Sequence, residues 1–322
     1  MVGKTGRSFR WILAMIAVFA IPILSCKSTT KEVPHEGRWG IYSLDLATQE
    51  TTLIYSAALE IQTLRLNNRG DTFVFSEKMD GEANENFEIN TVGVDGANFK
   101  QLTSNTLWDL YPAWSSDDNQ IAFLSLRRTD LDIYVMNADG SNTHLLYDSG
   151  THDADIDWVG DKIIFTANSQ IWTIKSDGTE ARQVTHPPRG GEWGQANLPF
   201  GDYDPRLSPD GTRIVFERLE GDSDPQGNYN LFIINADGSG ETRLTENGYA
   251  QGLAGWSRAG DKIVYVVAAI NGAGQFDMYL MNADGANARN ITPKYFPPEF
   301  LVHTAVFSSD DSKIYFIGEW WK

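Results

Sequence analysis

Three places along the chain pair an acidic residue with a second acidic or phenolic one at the same spacing: Asp109 with Tyr111, Asp153 with Asp155, and Asp202 with Asp204. Each pair stands just before a short apolar run that reads as a strand, and the corresponding stretch near the end of the chain brings His303. Carboxylates carried by successive elements to one mouth would hold a hard cation such as calcium, an amine or a cationic peptide segment. The same side chains would equally accept hydrogen bonds from backbone amides where strands begin. Both readings stand side by side.

A second set lies in the longest irregular segment, 185–204, which mixes Trp193 and Tyr203 with Arg189 and Glu192. Aromatic residues beside arginine are the usual composition of contact hot spots. The Gly and Pro content of the segment also describes a plain cover with its aromatics tucked inward. The third candidate is Cys26, the only cysteine in the 322 residues.

The elements that must position these residues are read from a repeat. In 112–140 three strand signals are separated by two tight turns, one at Ser116-Asp117-Asp118-Asn119 and one at Asn137-Ala138-Asp139-Gly140. Period-two patterning bounded by Asn, Asp, Ser and Gly predicts antiparallel hairpins. Aligned on Phe75, Phe123, Phe165, Phe216, Tyr265 and Phe316, the unit recurs six times. The second turn carries Asp-Gly, because its second residue needs a positive φ. A Leu-Thr or similar pair follows, as at Leu102-Thr103 and Leu244-Thr245. Five copies are complete. The last stops after two strands, and 39–55 supplies the two strands it lacks. The sequence therefore predicts an all-β, six-bladed β-propeller of four-stranded antiparallel blades, its ring closed by N-terminal strands completing the C-terminal blade.

The motif P-x-W-S-x-D-x-x-x-I-x-F, followed by I-Y-x-M-N-x-D-G and L-T, resembles the WD40-like PD40 repeat of the TolB family across the whole of 39–322. The resemblance implies a propeller and a protein-binding role in a bacterial cell envelope. TolB itself carries an α/β domain before its propeller, where this chain has about a dozen residues between Cys26 and the first strand.

Residues 1–25 read as a leader, with Lys4, Arg7 and Arg10 before an apolar core at 11–24. Ile23-Leu24-Ser25-Cys26 resembles a lipobox, so Cys26 is expected to be acylated, with 26–38 as a tether to an anchor in the outer membrane facing the periplasm. Removing the three leader cations takes the formal charge from -17 to -20, which disfavours nucleic acid as a partner. The partner expected is an envelope protein or peptide, bound by a monomeric propeller.

In such blades the second-to-third and blade-to-blade connections share one face, and here they are the long irregular ones; that loop face is the expected working face. No G-x-S-x-G, H-E-x-x-H or phosphate-binding loop occurs, and the chain ends at Lys322 where a peptidase domain would begin, so a non-catalytic module is expected. The alternative is a metal-assisted carbohydrate lyase or hydrolase resembling the propeller-type oligogalacturonate lyases. It would use His152, His186 and His303 on the loop face.

Overall fold

Residues 31–79, 86–193, 199–221, 228–246, 249–268 and 276–321 are described by a computed structural model; the leader and Cys26 lie outside these residues. Among them the regular structure is entirely β, in six four-stranded antiparallel sheets. Blade one runs Ile61–Leu66, Thr72–Lys78, Phe87–Gly93 and Lys100–Gln101 from the axis outward. Blades two to five repeat that order, starting at Asp109–Trp114, Asp153–Val159, Gly201–Leu207 and Ala250–Trp256. The sixth is composite: Phe300–Phe307 and Lys313–Trp320 are completed by Trp39–Asp45 and Thr51–Ala57. The closing pair runs in continuous register from Trp39 opposite Glu319 to Asp45 opposite Lys313.

The repeat motif has a physical reason at each position. In the first turn the Ser115 hydroxyl accepts the Gln120 amide at 2.9 Å and donates to Asp117 at 2.7 Å. Ser208 with Asp210 and Ser308 with Asp310 do the same. In the second turn Asp139 accepts the Ser141 amide, and Gly140 has φ 87° with its Cα facing the Leu102 carbonyl of blade one. A Cβ there would lie 2.8 Å from that oxygen, so the turn needs glycine for both conformation and space. The closing threonines replace strand length. Thr103, Thr185, Thr245 and Thr292 each accept an amide from 14 residues back, pinning a fourth strand of only two residues.

The six aromatic residues that align the repeats form the core: Phe75, Phe123, Phe165, Phe216 and Phe316 are wholly buried and Tyr265 nearly so. Each hydrophobic cluster spans neighbouring blades, as where Ala122 and Leu124 of blade two meet Ile163 and Phe165 of blade three. Val33 and His35, read from sequence as part of a polar tether, pack at the seam. Val33 is buried beside Tyr42 and Phe316, and the His35 ring lies 4.3 Å from that of Trp320.

At the seam Phe316 stacks on Tyr42 at 5.4 Å, joining strands from opposite ends of the chain. Phe316→Ala is expected to cost about 3–5 kcal/mol of unfolding free energy, measured by denaturant titration, because the void opens where the ring is clasped.

Candidate functional site

Each innermost strand carries a register shift before it reaches the first turn, and five place a non-glycine residue at positive φ there: Thr63, Tyr111, Asp155, Asp204 and Leu253, all between 49° and 53°. A bulge re-aims the side chains that flank it. This separates the members of the predicted pairs. Asp109, Asp153 and Asp202 are fully buried in the walls between blades and do not line a channel mouth. Asp109 accepts from Ser125, Asn105 and Arg127. Asp202 is held by both arms of Arg218, which also binds Glu241. Asp153 sits beside Asp132 and Asp148, and burial, with their charges added, pushes its carboxyl up to about 7.

The second members, Tyr111, Asp155 and Asp204, converge on the axis with residues that the pair pattern did not reveal: Arg65, Asp157, Arg206 and Glu217. Arg65 of blade one lies 3.8 Å from Asp157 of blade three, so that ion pair crosses the ring. Arg206 pairs with Asp204, and the Asp155 carboxylate accepts the Asp204 amide at 3.2 Å. Burial, with Asp204 adding, lifts Asp155 to about 6 against the pull of Arg206. Burial and the same two aspartates raise Glu217 well above the usual carboxylate range. Gly252 makes room for it: a Cβ there would come within 1.7 Å of Glu217 Oε2. Asp204 Oδ2 is buried without a hydrogen-bond partner. Sequence did hold a signal for the missed residues. Two positions beyond the bulge the six blades carry Arg65, Ala113, Asp157, Arg206, Gly255 and Val306, and three charges stand in a slot otherwise small or apolar.

No family model matches the chain. Over 161 residues it is 30% identical to a TolB homologue from Chlorobium luteolum, covering 48% of this chain and 33% of that protein. Over 178 residues it is 26% identical to the uncharacterised protein Atu1656 of Agrobacterium fabrum, covering 52% and 57%. The solved structure of a protein assigned as TolB from Agrobacterium tumefaciens superposes with a TM-score of 0.68 at 15% identity, covering 88% of this chain and 99% of that one. The chain is a six-bladed propeller similar in fold to TolB and, over about half its length, similar in sequence to a TolB homologue. Its matches span little more than half of the one curated relative and a third of the other.

The described parts of the 185–204 segment, 185–193 and 199–204, are tied down at several points. Phe200 is wholly buried with the Arg189 guanidinium 3.6 Å above its ring, and Arg189 pairs with Glu192 at 2.9 Å. The Tyr203 hydroxyl donates to the Pro199 carbonyl and shares a hydrogen bond with the Ser169 hydroxyl at 2.9 Å. Of the predicted set Trp193 is the most exposed, at 73%, with Arg189 and Glu192 exposed beside it and Tyr203 half-buried. The three loop-face histidines are engaged separately. His152 accepts the Leu131 amide near Asp130, His186 meets Gln183, and His303 stacks on Trp39 and pairs with Glu319. Among the described residues no group of three or more His, Cys, Asp or Glu is placed to hold a metal ion. A cavity of about 580 Å³ opens at the tight-turn end, opposite the loop face, with Arg65 and Arg206 in its lining.

The raised Asp153 carboxyl sets a pH dependence. The folded state holds its proton more tightly than the unfolded one, so its contribution is intact below the unfolded value near 4 and is lost as pH rises to about 7. Asp153→Asn is expected to stabilise the protein at pH 8, by at most roughly 4 kcal/mol, and to change little at pH 4. Thermal unfolding of both proteins at the two pH values checks this.

Proposed function

We propose that this TolB-like propeller is a non-catalytic, lipid-anchored binding module of the bacterial envelope, whose loop face takes a protein or peptide partner. A cationic side chain of that partner would enter the axis among Asp155, Asp204 and Glu217. The observation that carries this reading is the acidity that Arg206 leaves only partly compensated: a buried Asp204 oxygen with no hydrogen-bond partner, flanked by two carboxyl groups that burial keeps above their usual range. A lysine or arginine would satisfy all three, since buried carboxylates require a donor or a counter-charge. Around this point the connections of the same face expose Met79, Trp193, Tyr249 and Trp321, large side chains suited to a contact rim. A side chain fits the acidic cluster better than a metal ion, because the described carboxylates do not assemble a three-ligand set.

Two experiments test the two halves. Capture from solubilised envelopes with the full chain should retain a specific protein, and Asp155→Asn combined with Trp193→Ala should weaken that complex about tenfold or more without unfolding the propeller. Equal retention by parent and variant would remove the loop face from consideration. Cys26→Ala should abolish incorporation of labelled fatty acid and release the protein from membranes. Continued acylation or membrane retention of that variant would refute the anchor.

A further inference from the structure

The bulged strands run from the loop face toward the tight turns, so Asp204 precedes Arg206 along the axis and the ionic cluster has two unlike sides. On the loop side the unpaired buried atom is an acceptor, Asp204 Oδ2. The cavity on the tight-turn side has the opposite character. It is lined by Arg65, Arg206, Trp114, Trp158, Trp256 and Phe307, with Lys162 and Arg258 at its exposed rim.

Every buried unpaired side-chain atom that the lining contributes is a donor: Nε and Nη2 of Arg65 and Nε1 of Trp114. The equivalent indoles are satisfied within the chain, Trp158 by the Gly160 carbonyl at 3.1 Å and Trp256 by the Arg206 carbonyl at 3.0 Å. Arg65 gives one bond, to the Leu64 carbonyl at 2.9 Å, and stands off from Asp157 at 3.8 Å. It is nine-tenths buried and close enough to Arg206 for the two guanidinium charges to oppose one another. The acids of the lining are partly spent already. Asp210 is taken up by Ser208 and Thr212, and Asp157 accepts the Leu207 amide at 2.9 Å. Asp161 is exposed at the rim. A buried donor set without acceptors is a place where a partner belongs, and a guanidinium fork matches planar or tetrahedral oxyanions.

We propose that the tight-turn vestibule binds a small ligand through an oxyanion, a phosphate or a carboxylate, seated against Arg65 and Arg206 with Trp114 Nε1 as a further donor. The space of about 580 Å³ suits a small molecule, and the aromatic collar would surround its apolar part. This site is separate from the loop-face contact and stands whether or not that contact exists.

The test is a calorimetric titration of the full chain in detergent at low ionic strength, with inorganic phosphate in one arm and succinate in the other. Saturable binding of either anion is expected, and the arm that binds identifies the headgroup. Arg65→Gln should weaken it about tenfold or more, while Arg65→Lys should restore part of the loss. If the buried substitution fails to fold, Lys162→Gln with Arg258→Gln at the rim should still weaken binding by roughly two- to fivefold, in a salt-dependent way. Absence of saturable binding in both arms, or full affinity in a folded Arg65→Gln or in the rim variant, would overturn the proposal.

Discussion

A four-stranded sheet of this size has two apolar faces and can cover them only with its neighbours, so no blade is stable until the ring is shut. In this chain the closing contact is the pairing of Trp39–Asp45 with Lys313–Trp320, supported by Tyr42 stacked on Phe316 and by Arg38 bound to Glu319. All else follows from that closure. It brings six innermost strands to one axis, fixes how far each can reach inward, and obliges whatever they carry there to be buried together. Gly140, seated against a carbonyl of the preceding blade, shows the spacing enforced at the turn end as well.

Burying Arg65, Arg206 and Asp204 and half-burying Asp155, Asp157 and Glu217 around one axis is not an economical way to stabilise a fold. Removing charges from water costs several kcal/mol per ion, and pairing at best offsets it. The axis nevertheless gathers six ionisable groups, three of them in a slot where the other blades use alanine, glycine or valine. Five positive-φ residues at the bulges add local backbone cost beside them. Strain and buried charge at the same level of the ring argue for recognition, not for core packing. The cluster also has a direction, since an unpaired acceptor, Asp204 Oδ2, lies on one side of it and unpaired donors on the other.

The strands, both turn types and the shared sixth blade were legible because they depend on local chemistry: Asp-Gly for φ, Ser-x-Asp for a turn, one aromatic per second strand. The site was half legible. Spacing alone singled out Tyr111, Asp155 and Asp204 together with Asp109, Asp153 and Asp202, but a one-residue bulge sent the second set into the walls, and a bulge leaves no fixed mark in sequence. Arg65 and Glu217 were missed for a different reason. Arg65 makes its contact across the ring to Asp157, and Glu217 reaches the axis from a second strand past Gly252, so neither lies near its partners in the chain. The turn-face cavity was missed because tight turns gave no hint of the space between them.

The composite blade also has a mechanical consequence. Trp39 lies opposite Glu319, so the chain segments leading into one strand and out of the other depart from the same end of an antiparallel pair. Tension between them would peel the seam one rung at a time, the geometry of a zip, and would not load its seven rungs together in shear. The first resistance would come from the Trp320 amide bonded to the Arg38 carbonyl, the Arg38 to Glu319 ion pair and the ring of Trp320 lodged against His35 and Phe300. A fold that is cooperative toward heat would thus have one weak direction toward force, and those few residues at the mouth of the seam would set its threshold.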